Sequence, residues 1–190
     1  MDYVRAAFVF FLVVIPLLCY SQGISQYDRF QLQEGELYWQ NNFEYPGKVD
    51  SIRKAVEHML QSRSFTFDVK RNKEGYSGKL KHYHVNPKQY GRTYINTPKV
   101  YWGGEWTGKF FIEIHEGYYS VVVYELEYKS ETQAVGHYKP EKIRAGPYVD
   151  AVTNNKKQNF LKNEFPNLSL MSVSLKDNFD LKYVVPKSEK

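Results

Sequence analysis

The sequence predicts an α+β fold, a curved and mainly antiparallel sheet with helices packed on one face. Apolar residues recur with a period near 3.6 over residues 49–60 and again over 168–179, whereas between those segments they recur with a period of 2. Two of the period-2 runs, 109–115 and 118–128, are separated only by Glu116-Gly117, a short hairpin connection. A helix with a single apolar stripe needs an apolar sheet face to cover, and an antiparallel sheet keeps its other face wet.

In chain order, residues 1–21 read as a secretory signal peptide. Arg5 supplies the basic start, and residues 6–20 (AAFVFFLVVIPLLCY) are an almost unbroken apolar run. Those fifteen residues would rise about 22 Å as a helix, short of the roughly 30 Å hydrocarbon core. Cleavage after Ser21 puts Cys19 and Ser21 at the two positions that want small residues. The competing possibility, a lipoprotein anchored at Cys19, meets Leu18 where a small residue is expected. Residues 22–36 are polar and turn-rich and read as a mobile lead-in. A single α+β domain is expected over 37–182 and a polar tail over 183–190.

Within the domain, 37–45 (LYWQNNFEY) is expected as the first strand, ended by Pro46-Gly47. Val49, Ile52, Val56 and Met59 then recur at spacings of three, four and three, an amphipathic helix with Asp50 at its start, where a carboxylate is favoured. Phe65, Phe67 and Val69 alternate with polar neighbours as a strand, 72–75 (NKEG) turns, and 76–85 returns. Residues 86–106 (NPKQYGRTYINTPKVYWGGEW) have no legible path. If His115 opposes Tyr118, then Phe110, Ile112 and Ile114 face Val123, Val121 and Tyr119 on the buried side of the hairpin. Residues 130–155 are turn-rich, and 156–163 read as a short helix around Phe160 and Leu161, stopped near Pro166. Leu168, Met171, Leu175 and Phe179 give a terminal helix, preferred over the strand that Met171, Val173 and Leu175 also fit.

Composition narrows the chemistry. The chain has 190 residues, 26 basic and 21 acidic, for a net charge of +5, and one cysteine, Cys19. Removing 21 residues leaves 169 with the charge unchanged, because Arg5 and Asp2 leave together, and that mature chain is cysteine-free. Disulfides, thiol nucleophiles and Cys-ligated zinc or iron–sulfur centres are thereby excluded from it. The basic residues are scattered, as in Lys79, Lys81, Lys88, Arg92 and Lys99, with Glu and Asp interspersed elsewhere, and export separates the protein from DNA, so nucleic acid is not an expected partner. No second apolar stretch approaches spanning length, so no transmembrane segment is expected in the mature chain.

The passages LYWQNNFEYPGKVDSIRKAVEHML and GKFFIEIHEGYYSVVVYELEY resemble a family of secreted proteins from Bacteroidetes-type bacteria, a domain of unknown function with a TATA-binding-protein-like (TBP-like) fold. The resemblance covers residues 37–130 and extends to the terminal helix. It implies fold and compartment, with no active residues to transfer. The chain departs from the family pattern in the long 86–106 insertion and in Ser120, where an Arg is common.

Three groups of residues are candidates for function. Tyr101, Trp102 and Trp106 gather large rings around Gly103-Gly104 and form the candidate ligand-binding site, since exposed rings stack on sugars or peptides. His82 and His84 share one strand face at a spacing some zinc sites use; only His58, His115, His137 or a carboxylate could provide the third ligand, and no HExxH spacing is present. Glu125 and Glu127 share a strand face near Glu113, and such alternating carboxylates are usually a strand's wet side. The expectation is a secreted, non-enzymatic binding module of the envelope, without a cofactor, whose partner is an envelope protein or glycan. The alternatives are a hydrolase of unrecognised type, metal-assisted through His82 and His84, and a structural subunit pairing through a sheet edge.

Overall fold

The central hairpin forms in the register its turn dictates. Strands β6 (Gly104–His115) and β7 (Tyr118–Ser130) pair His115 with Tyr118, Ile114 with Tyr119, Ile112 with Val121 and Phe110 with Val123, as the sequence predicts. This is a computed structural model of the chain, and it describes residues 24–130 and 144–183. The expected signal peptide with Cys19, the stretch 131–143 and the tail from 184 onward lie outside the described residues.

Around the hairpin are β1 (Gln26–Tyr27), β2 (Phe30–Gln33), β3 (Glu36–Glu44), β4 (Thr66–Arg71), β5 (Gly75–Tyr83) and β8 (Arg144–Pro147). The strands run in the order β1-β2-β3-β7-β6-β5-β4, every pair antiparallel. β7 pairs with β3 from Tyr118 to Tyr124 and with β8 from Glu127 onward. Four helices complete the described residues: α1 (Val49–Ser62), α2 (Lys99–Gly103), α3 (Tyr148–Val152) and α4 (Phe165–Phe179). The observed class is the predicted one, α+β with an open antiparallel sheet.

α1 buries Ile52, Val56, Met59 and Leu60 against the sheet. Burial of each such side chain stabilises by about 1.5–3 kcal/mol as an upper figure. Its last carbonyls are satisfied by side-chain hydroxyls: Ser62 donates to Met59 (2.8 Å) and Thr66 to Leu60 (2.6 Å). α4 is less regular in pattern because it lays serines on the core. Ser172 accepts the indole N–H of Trp39 (3.1 Å), and Ser174 and Ser169 share hydrogen bonds with the hydroxyls of Tyr83 (2.6 Å) and Tyr27 (3.1 Å). Tyr119 donates to the Phe179 carbonyl (2.8 Å) and accepts from Leu181 N (3.0 Å), closing the end of that helix.

Two expectations change. Residues 22–36 were expected as a mobile lead-in, yet they supply β1 and β2, with Phe30 wholly buried opposite Trp39. Glu34 and Gly35 both take positive φ (53° and 82°), the two-residue turn that joins twisted strands, and the apolar alternation is only Phe30 and Leu32 between glutamines. Residues 156–163 were expected as a short helix. Instead Thr153 bridges to Phe160, and the Asn154 side chain accepts from the amides of Gln158 (3.0 Å) and Asn159 (3.3 Å), holding the loop as a turn before a 3-10 turn at Lys162–Glu164.

Candidate functional site

The illegible 86–106 segment has a defined path. Asn86 accepts from Lys88 N (3.2 Å) to start a 3-10 turn at Pro87–Tyr90, which Gly91 ends in the left-handed region (φ 72°). Arg92 ties the following loop to α4 through Asn167 Oδ1 (3.3 Å), and Asn96 N donates to Thr93 Oγ1 (3.3 Å). Pro98 then leads into α2, where neighbouring residues point to opposite sides.

That change of side separates the predicted rings. Tyr101 turns inward and is 2% exposed, and Trp106, in the first part of β6, is 1% exposed. Tyr148 of α3 receives both: its hydroxyl shares a hydrogen bond with Tyr101 (2.8 Å) and its ring meets Trp106 edge-on at 4.9 Å. Burial pushes the phenols of Tyr101 and Tyr148 above the ordinary tyrosine range. Tyr101 and Trp106 are therefore core residues and present no ligand surface, which corrects the expectation from sequence.

Trp102 turns outward, 37% exposed, with its indole N–H donating to the Thr97 carbonyl (3.1 Å). It packs on Tyr94 at 5.0 Å between ring centroids, and the Lys88 ammonium lies 4.7 Å over the Tyr94 ring. Ile95, beside them, is 95% exposed and Tyr94 is 41%. Among the described residues five large apolar side chains are exposed, and three of them stand together on this loop. Sequence reasoning missed Tyr94, Ile95 and Lys88. Their signal was the lack of any Asp or Glu from 86 to 103, a stretch that holds Lys88, Arg92 and Lys99.

The other candidates gather on the open sheet face. Bulges interrupt three adjoining strand pairs at Asp68 (φ 53°), His82 (φ 52°) and Glu125 (φ 50°). Each costs on the order of 1 kcal/mol for a residue other than glycine and bends its strand, which curves the sheet. Gly78 makes room beside one of them, since a Cβ there would meet the Phe110 ring at 2.6 Å. Each bulged side chain has a polar partner: Asp68 pairs with Lys79 (3.0 Å) and Lys81 (3.7 Å), Glu125 pairs with Lys109 (2.7 Å), and His82 Nδ1 lies 3.1 Å from the Glu105 carboxylate. The hydrogen bond from Lys79, then its charge and that of Lys81, hold the Asp68 carboxyl below its usual range. With Glu127 and Thr107, the three lysines, His82, Glu105 and Glu125 line a shallow depression of about 320 Å³, and Asp68 lies outside it.

The depression thus unites His82 with Glu125 and Glu127, but not with the rings. His84 departs from it, its Nδ1 lying 3.0 Å from the Gly104 carbonyl, and Glu113 lies along β6 beside His115 (3.7 Å). Among the described residues no three His, Cys, Asp or Glu side chains form a group that could hold a metal ion. The polar pairs on this face are solvent-exposed, so water competes for each of them.

No family model matches the chain, and no curated protein matches it. Among solved structures the chain is similar to a TBP-like protein from Parabacteroides distasonis, with a TM-score of 0.50 and 15% identity, covering 83% of this chain and 99% of that one. The fold is TBP-like. The chain is also similar to a DUF4468 family protein from Bacteroides ovatus, with a TM-score of 0.42 and 10% identity, covering 85% of this chain and 94% of that one. Likeness at 15% identity speaks to the fold alone. In this TBP-like frame the loop with Tyr94 and Ile95 links the neighbouring strands β5 and β6.

Proposed function

We propose that the protein is an exported, non-enzymatic binding module of the bacterial envelope, with Tyr94, Ile95 and Trp102 as its contact surface. The observation that carries this is Ile95, an aliphatic side chain 95% exposed beside two exposed rings on a loop held by hydrogen bonds. Grouped exposed apolar side chains mark interaction sites, and a pre-ordered loop loses little freedom on binding. Export is supported by the apolar run at 6–20 behind Arg5. Membership of the secreted Bacteroidetes family of unknown function is supported by the TBP-like fold.

The other two functions have weaker support. A hydrolase would need a nucleophile or an activated water, and the His82–Glu105 pair (3.1 Å) sits in open solvent among lysines. A subunit pairing through the β4 edge would meet its Asp68 bulge and exposed Lys70 and Arg71, which discourage another strand.

Retention on isolated Bacteroidetes envelopes tests the reading. The chain from Gln22 onward is expected to cosediment with them, and the Ile95→Ser, Trp102→Ala double variant is expected to stay in the supernatant with its melting temperature nearly unchanged. Equal retention of the variant, or no retention of either protein, would overturn it.

A further inference from the structure

We infer that the partner of the Tyr94–Ile95–Trp102 surface is an anionic lipid bilayer, with Ile95 entering the headgroup layer. The inference rests on that loop being the contact surface and names what it contacts.

Charge is the first reason. Residues 86–103 contain Lys88, Arg92 and Lys99 and no acidic residue, so this one stretch carries +3 in a chain whose net charge is +5. Lys88 lies against Tyr94, and Lys99 is one helical turn before Trp102 on α2, which places it on the same side. Arg92 is engaged with Asn167, and beyond it Glu164 has its carboxylate hydrogen-bonded to Asn163 (3.2 Å) and Asn167 (2.8 Å). The basic groups beside the apolar tip thus meet no acidic side chain from their own segment, and an anionic surface complements them.

Chemical type is the second. The most exposed apolar group is Ile95, an aliphatic side chain that offers a glycan's hydroxyls no hydrogen bond. Tyr and Trp beside it have an apolar body and a polar tip, the combination that settles at the headgroup level. A protein partner would need an apolar pocket rimmed with acids cut to this loop, whereas an anionic bilayer offers both properties over its whole area. One inserted residue gives weak and reversible attachment unless basic residues add to it. The loop supplies both. No helix among the described residues is long and apolar enough to cross a membrane.

The test uses the chain from Gln22 onward, which contains every described element and lacks the apolar run at 6–20. Sedimentation is measured with phosphatidylcholine vesicles, with vesicles containing phosphatidylglycerol, and with lipid-extracted envelopes. Binding to the anionic vesicles is expected to exceed binding to the neutral ones by about 10-fold or more, and to weaken as salt rises. Ile95→Ser and the Lys88→Glu, Lys99→Glu pair are each expected to reduce it by roughly 10-fold with circular dichroism unchanged. Binding that ignores vesicle charge or survives both variants would overturn the inference. Ile95-dependent retention on lipid-extracted envelopes with none on vesicles would also overturn it, leaving the binding-module reading intact and assigning a protein or glycan partner. Retention on none of the three would remove both.

Discussion

Trp102 and Trp106 stand four residues apart and have opposite fates. Trp106 is enclosed by Tyr101, Tyr128 and Tyr148, whereas Trp102 lies on the surface against Tyr94. Trp102 sits in a short helix and Trp106 in the strand that follows it, and each element changes the side to which the next side chain points. A cluster of rings in a sequence is therefore not one site. It is a set of side chains whose burial is decided one at a time by local phase and by what packs across from each.

The largest expected difference between the two is in stability. Trp106→Ala should cost about 3–5 kcal/mol in denaturant melts, because it empties a closed aromatic cluster, while Trp102→Ala should cost less than about 1 kcal/mol. Equal losses would make both indoles structural and remove Trp102 from the contact surface. The Trp106 indole N–H has no hydrogen-bond partner among the described residues, so its contribution is packing.

Alkaline titration probes the buried side of the contrast more broadly. Burial raises the phenols of Tyr83, Tyr101, Tyr119 and Tyr148 above their ordinary value of 10.0. A raised folded value means that stability is fully present below about pH 10 and is lost as pH climbs beyond it, since only the unfolded chain then ionises readily. Phenolate absorbance from these four residues should appear together with loss of far-ultraviolet circular dichroism. Ionisation well before unfolding would show that the cluster is open to water.

A smaller effect is expected from Tyr148→Phe, which leaves the Tyr101 hydroxyl buried without its 2.8 Å partner. The cost should be about 1–3 kcal/mol, read from the shift in denaturation midpoint. A loss below about 0.5 kcal/mol would mean that the hydroxyl pair contributes little beyond the ring contacts.

Legibility in the sequence followed the range of the interactions involved. Glu116-Gly117 allowed one hairpin register, and the alternation from Phe110 to Ile114 told which face is buried, so both emerged correctly. Val49, Ile52, Val56 and Met59 carried α1 in the same way. Phe30 and Leu32 were too few, between glutamines, to announce β2, and that strand depends on the Phe30–Trp39 pairing. α4 was ambiguous because Ser172 and Ser174 occupy core positions as hydrogen-bond partners of Trp39 and Tyr83, so its helical stripe is interrupted by polar residues. The bulges at Asp68, His82 and Glu125 gave no sign, since none uses the glycine that a left-handed backbone prefers. At the candidate site only Trp102 was anticipated on the surface, and Tyr94 and Ile95 were hidden in a segment with no period.

The amino-acid order alone determined the α+β class, the strand and helix periods, the hairpin register and the uneven charge of residues 86–103. Those features depend on neighbours two to four residues apart, or on simple composition. Only the tertiary structure decided that Tyr101 and Trp106 are core and that Trp102, Tyr94 and Ile95 are surface. The deciding partner of the buried pair is Tyr148, 47 residues beyond Tyr101. No local pattern encodes a contact at that separation, because it exists only after the sheet has curved and α3 has closed over it.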